Sequence, residues 1–235
     1  MKKVFITGEP SINDELKQML GQKCEFISEL NNSADIIIDS TNFPEEKKRN
    51  SIKLIDENSG SSVPVFSSSL CFPVSEQASF SKYPSRLIGI PLYSTFSKTK
   101  LVEIAPSKIT DSKILENAES FLKETGLNYA KVPDRTGLVF PRILVMIINE
   151  AAQVYSENIA SRDDIDTAMK LGTNYPFGPL EWADKIGIDL VYNILTALQN
   201  GYGEDRYRPH PSLKEMVNLN LLGVKSGKGF YTYQE

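Results

Sequence analysis

Cysteine and histidine are scarce in this chain of 235 residues, which has two of the first, Cys24 and Cys71, and one of the second, His210. A conventional zinc site takes three or four such ligands, so no structural metal is expected. Charge of one sign is scarce as well. Thirty acidic and 26 basic residues leave a net charge of −4, and the densest charged stretch, Glu45 to Arg49, changes sign within itself. No basic stripe is present to follow a phosphate backbone, so no nucleic-acid partner is expected. Long apolar runs are missing too. The stretch Ile143 to Ile148 is far shorter than the roughly 20 residues a bilayer requires. The apolar residues after Met1-Lys2-Lys3 stop at Thr7-Gly8-Glu9-Pro10, which suits a first β-strand better than a secretory leader. A soluble, cytoplasmic protein without a membrane partner is the expectation.

What is present falls into two patterns. Residues 3–7 read as a strand, and Ser11-x-x-Asp14 predicts a capping box for a helix carrying Ile12, Leu16, Met19 and Leu20 up to Gly21. Further strands are predicted at Cys24 to Ile27, Ala34 to Asp39, Val63 to Phe66, Leu87 to Ile90, Leu101 to Ile104 and Tyr129 to Val132, with a helix over Ile114 to Leu122 before the last. Short apolar strands separated by helical or polar segments predict a largely parallel, doubly wound α/β sheet. The serine-rich stretch from Ser59 to Ser69 suits a mobile loop. Beyond Pro133-Asp134 helical signals dominate: Arg142 to Tyr155, a helix capped by Ser161-x-x-Asp164 and ending at Gly172, Asp189 to Asn200, and one capped by Ser212-x-x-Glu215. The expected domains are therefore 1–133 and 134–235.

Three ordered motifs carry a family resemblance. Asp134-Arg-Thr-Gly137-Leu-Val-Phe-Pro141-Arg142 resembles the Asp-x-Pro-Gly-Phe-x-x-Asn-Arg junction of 3-hydroxyacyl-CoA dehydrogenases. Asp164-Ile-Asp166 through Lys170-Leu-Gly172, followed by Tyr175-Pro-Phe-Gly178-Pro-Leu-Glu181, is similar to that family's central signature. Gly223-Val-Lys225-Ser-Gly227-Lys-Gly229-Phe-Tyr231-x-Tyr233 resembles its terminal box. Weaker likeness continues upstream through Gly89-Ile90 and Lys100-Leu-Val-Glu103. The resemblance implies a shortened Rossmann-like sheet followed by an all-α, 6-phosphogluconate-dehydrogenase-like C-terminal domain that packs as a homodimer. The Ile143 to Ile148 helix would serve that interface or the core. Glycines 172, 178 and 227 are expected to allow backbone conformations closed to other residues, and Pro176 and Pro179 to fix a turn.

The same resemblance locates the chemistry, and there the chain departs from the pattern. In the family a histidine takes the hydroxyl proton while hydride passes to NAD, and a glutamate twelve residues later orients the imidazole. Matching Gly89-Ile90-Pro91-Leu92-Tyr93-Ser94-Thr95 to the family's strand puts Pro91 at the histidine, and twelve residues on is Glu103. The Ser67 to Glu76 segment puts Leu70 at the catalytic serine, and Pro141 stands at the asparagine. The nucleotide turn keeps one glycine, Gly8, of the three that G-x-G-x-x-G requires, and Pro10 removes an amide donor. After the second strand Ser28, with Glu29 beside it, occupies the ribose position. Only some two dozen residues separate the first strand from Ala34, too few for the helical hairpin that helps the family hold CoA.

A structural reading stands beside each candidate. Glu103 is a vestigial catalytic carboxylate or an exposed or salt-bridged structural glutamate. Gly8 is a vestigial cofactor-binding position. Trp182 and Phe177 line an acyl pocket or plug a helix seam. His210, between Pro209 and Pro211, belongs to a surface loop, and a general-base role would require it to reach the other domain. The leading expectation is a dehydrogenase-like pseudoenzyme with no cofactor, acting as a homodimeric binding or scaffold protein in fatty-acid metabolism with an acyl-CoA-like ligand. The alternative is an active NAD-dependent 3-hydroxyacyl-CoA oxidoreductase with a substituted active site.

Overall fold

The computed structural model describes residues 1–99 and 101–233; Lys100, at the head of one weaker motif, lies outside them. The chain forms two units, Met1–Val139 and Phe140–Glu235. The divide falls six residues beyond the one read from the sequence, Pro133/Asp134, because residues 134–139 are bound to the first unit. The Asp134 carboxylate accepts from the Val74 and Ser75 amides at 2.7 and 2.8 Å, and the Gly137 amide donates to the Leu70 carbonyl at 3.0 Å.

The first unit runs β1 (Lys2–Thr7), α1 (Pro10–Leu20), β2 (Cys24–Ile27), β3 (Ile36–Asp39), α2 (Glu45–Asn58), β4 (Val65–Ser68), α3 (Val74–Gln77), β5 (Leu87–Ile90), β6 (Val102–Pro106), α4 (Ser112–Glu124) and β7 (Tyr129–Lys131). Among the described residues its seven strands lie in the order β2-β1-β3-β4-β5-β6-β7. Every pairing is parallel except β5 with β6. Ile36, Ile37 and Ile38 are all buried, as strands covered on both faces require. Residues 28–35 join β2 to β3 without a helix. The unit is thus a shortened doubly wound sheet.

Two expected helix caps are displaced, for one reason. Proline precedes serine at both Pro10-Ser11 and Pro211-Ser212, and its fixed φ and missing amide suit it to the first helical position. The caps therefore move back to Glu9, which gives no side-chain bond, and to His210, whose ring accepts from the Ser212 amide. No proline precedes Ser161, and there the expected cap forms. The segment expected to be a mobile loop is instead partly β4, inside the sheet. Ser67, Ser68 and Ser69 are buried, with hydroxyls bonded to Asp39 and Gln77, to Asn42, and to the Ser67 carbonyl.

The second unit is helical: α5 (Phe140–Ser156), α6 (Arg162–Thr173), α7 (Pro179–Ile186), α8 (Ile188–Tyr202) and α9 (Pro211–Asn218), closed by a turn-rich tail. Helix α5 packs on α7 and α8. It buries Leu144, Val145 and Ile148 and leaves Ile143 53% exposed, so its apolar residues divide between the core and an open face. Among the described residues no helix is long and apolar enough to cross a membrane.

Candidate functional site

The positions that would carry the chemistry meet at the ends of β4, β5 and β6. Leu70 follows β4, Pro91 follows β5, and the Ser69 amide ties those two ends by donating to the Ile90 carbonyl at 3.0 Å. Antiparallel pairing sets Ile88 opposite Pro106 and Gly89 opposite Ala105. Continued by two residues, that register brings Pro91 level with Glu103. The spacing of twelve is thus the one the β5–β6 register would set opposite, although Pro91 itself lies one residue past the end of β5. Leu70, Pro91, Leu92 and Tyr93 are all buried. Glu103 is 6% exposed, which corrects the exposed reading, and its carboxylate accepts from the Val139 amide at 2.7 Å.

At the strand-to-helix turn after β1, Gly8 has φ +107, and a Cβ there would lie 2.6 Å from the Thr41 amide nitrogen. Glycine is required because the end of β3 comes so near. The Ser40 hydroxyl fills the turn. It accepts from the Glu9 amide at 2.8 Å and lies 2.7 Å from the Asn13 side-chain amide. Ser28 and Glu29 are exposed at the bend that follows β2.

The loop that leaves β5 is fastened on several sides. Asn42 donates to the Leu92 carbonyl at 2.8 Å, and the Leu92 amide donates to the Ser68 hydroxyl at 3.3 Å. Glu15, on α1, accepts from the backbone amides of Thr95 and Ser97 at 2.8 and 3.0 Å and from the Ser97 hydroxyl. Ser11 and Ser94 hydroxyls lie 3.4 Å apart. Beneath the loop, Lys48 is fully buried and donates to Asp39 at 2.6 Å and to the Thr41 carbonyl at 2.9 Å. Desolvation pulls the Lys48 ammonium below its ordinary range, and the Asp39 carboxylate pushes back.

In the second unit the motif residues build a clamp. Asp166 accepts from the Leu180 and Glu181 amides at 2.8 and 2.9 Å and from the Tyr231 hydroxyl at 2.9 Å. Asp184 accepts from the Phe230 and Tyr231 amides and from the Tyr233 hydroxyl. Burial pushes the Asp184 carboxyl up, against the lowering effect of those donors. Gly178 has an ordinary φ of −71 but no room for a side chain, since a Cβ would lie 2.2 Å from that of Asp166. Gly172 sits inside α6 with nothing near it, and Asn174 takes the left-handed turn in its place. Of the three expected conformational glycines, only Gly227, at φ +75, has a positive φ. Pro141 is buried in the first turn of α5. Trp182 is 2% exposed, with Phe140, Tyr175 and Phe177 rings 5.6–5.8 Å away, so it packs a seam. His210 is held by Ser212 at 2.7 Å and lies 3.4 Å from Ser156.

Comparison with known proteins decides the family. The 3-hydroxyacyl-CoA dehydrogenase NAD binding domain matches residues 9–135, and the C-terminal domain of the same family matches residues 137–233. This chain belongs to the 3-hydroxyacyl-CoA dehydrogenase family. It is 32% identical to the 3-hydroxybutyryl-CoA dehydrogenase of Clostridioides difficile over 93% of its own length and 81% of that protein's. To the probable 3-hydroxybutyryl-CoA dehydrogenase of Bacillus subtilis it is 34% identical, covering 86% of this chain and 70% of that one. Two solved structures share the fold: Mycobacterium tuberculosis FadB2, with a TM-score of 0.84, 22% identity and 99% coverage of both chains, and (S)-3-hydroxybutyryl-CoA dehydrogenase PaaH1 from Ralstonia eutropha, with 0.80, 24% and full coverage of both.

In this 3-hydroxyacyl-CoA dehydrogenase-family chain the turn where the fold would hold a dinucleotide lacks two of the contacts one would use. A pyrophosphate needs free amides at the start of α1. Pro10 has no amide hydrogen, the Glu9 amide is already bonded to Ser40, and the Glu9 carboxylate adds like charge. Sequence reasoning missed Glu15, Ser40 and Asn42. Ser40 directly follows the strand Ala34 to Asp39, a position that signals the sheet's carboxyl edge, whereas nothing near Glu15 points to a loop some 80 residues away.

Proposed function

We propose that this family member carries out no hydride transfer, needs no NAD, and acts as a binding or scaffold protein for an acyl-CoA-like ligand of fatty-acid metabolism, in the cytoplasm. One observation supports the reading above the rest: the buried residue that follows β5, where the family pattern has its proton acceptor, is Pro91. A pyrrolidine ring neither takes nor gives a proton. Loss of a general base alone costs roughly 10²–10⁴ in rate. Leu70 and Pro141 offer no side-chain hydrogen bond to compensate.

A second reading has an observation of its own. The NAD-binding domain of the family matches residues 9–135, which take in Glu9 and Pro10 of the substituted turn and both substituted strand ends, and the relatives are named as dehydrogenases. Under that reading the chain is an NAD-dependent 3-hydroxyacyl-CoA oxidoreductase in which other groups replace the missing ones. Steady-state assay of the purified chain with acetoacetyl-CoA and NADH, followed by NADH absorbance, separates the two. No turnover is expected, and stoichiometric NADH consumption would establish the second reading.

The partner proposed for the scaffold is a second copy of the chain, paired through α5. Arg142, Ile143, Met146, Ile147 and Glu150 of that helix line a groove together with Arg206 and Tyr207. A two-fold antiparallel pairing about Met146 would bring the two sets of Ile143 and Ile147 side chains together. Light scattering at micromolar concentration should give twice the chain mass, and Ile143→Glu should halve it.

A further inference from the structure

The loop after β5 crosses the whole ligand-binding edge of the sheet. In the order β1-β3-β4-β5, three inter-strand steps, about 14 Å, separate β5 from β1. The loop leaves β5 at Ile90, yet Ser94, Thr95 and Ser97 contact Ser11 and Glu15 on α1, the helix that follows β1. It must therefore pass over the carboxyl ends of β4 and β3. Open parallel sheets take their ligands at that edge, where the direction of winding reverses; here the reversal lies between β1 and β3.

We infer that residues 93–99 form a latch that shuts this edge, with Glu15 as its catch. The loop is held under strain. Thr95 has φ +75, a left-handed conformation unfavourable for a β-branched residue. Its buried hydroxyl finds no hydrogen-bond partner among the described residues. Two costs at one residue are tolerated because its neighbours are tied: the Thr95 and Ser97 amides both end on the Glu15 carboxylate. The anchors at Leu92, through Asn42 and Ser68, lie before the strained residue and hold the base of the loop. Glu15 holds the Thr95 and Ser97 amides on either side of the buried Phe96, so losing that carboxylate releases those two amides and leaves the base in place.

Amide hydrogen exchange on the full chain tests it. In Glu15→Ala the Thr95 and Ser97 amides should exchange at least about tenfold faster, since bonds to a charged acceptor are the strong class. Glu15→Gln, which keeps a neutral acceptor, should fall between. Amides of β1 and β3 should keep their wild-type rates, showing that the sheet is intact. The wild-type chain supplies a test that needs no variant: Thr95 and Ser97 should exchange by a local opening insensitive to dilute urea, while β3 amides respond to it. Unchanged protection at Thr95 and Ser97 in Glu15→Ala, or wild-type exchange there only through global unfolding, overturns the latch.

Discussion

Asp184 and Gly229 fit so closely that a Cβ on the glycine would lie 2.0 Å from the Asp184 Oδ1. The carboxylate cannot retreat, because the Phe230 and Tyr231 amides and the Tyr233 hydroxyl all point at it. That contact is why the terminal motif has a glycine just before its Phe-Tyr pair. Gly229→Ala should destabilise the second unit by about 2–4 kcal/mol, through overpacking and the loss of one or more of those bonds. A melting temperature lower by several degrees in calorimetry is the expected result, and an unchanged one would show that the clamp carries no stability.

Gly172 gives the opposite outcome. It lies within α6, a methyl group added there would meet nothing inside 4 Å, and its φ is not in the left-handed range. Gly172→Ala should stabilise the unit by roughly 0.5–1 kcal/mol through helix propensity alone. Urea unfolding followed by Trp182 fluorescence, which reports this unit, measures it.

The buried ion pair of the first unit should be sensitive to the loss of one partner. Lys48→Met leaves Asp39 charged, fully buried and without its cation, at a cost of about 3–5 kcal/mol. Ser51, Ser67 and the Thr41 amide still donate to Asp39, which favours the lower end. Lys48→Met/Asp39→Asn removes the stranded charge and should recover part of the loss. Chemical unfolding by circular dichroism compares them, and a double variant weaker than the single one would contradict this account.

Acid should favour the Asp184 clamp relative to its neutral counterpart. The folded-state pKa of Asp184 is raised, so folding favours its protonated form. That contribution is fully present below the unfolded value of about 3.9 and is lost as pH rises through the folded value. Unfolding free energies of wild type minus Asp184→Asn should therefore grow as pH falls from 7 toward 4. A difference that stays flat or shrinks would mean that the donors outweigh burial.

Much of the candidate site was legible because spacing fixed register. Pro91 and Glu103 are twelve residues apart in sequence, and the antiparallel pairing of β5 with β6 turns the chain back so that they face the same end of the sheet. The Ser161 cap was legible since a serine with an acidic residue three positions on acts locally. Local rules failed where a neighbour overrode them, as proline did before Ser11 and Ser212. They failed again at Ser67, Ser68 and Ser69, whose composition suggested a loop, because partners as distant as Asp39 and Asn42 satisfy two of the buried hydroxyls.

By itself the sequence determined the family, the two-part α/β and helical architecture, and the residue types at the chemical positions, since these rest on motif order and on short-range periodicity. Only the tertiary structure decided that Ser40 takes up the Glu9 amide beside Gly8, and that the loop after β5 crosses β4 and β3 to meet Glu15. Such contacts join residues 31 to 82 positions apart. Their partners are chosen by strand order and burial, which no local pattern encodes.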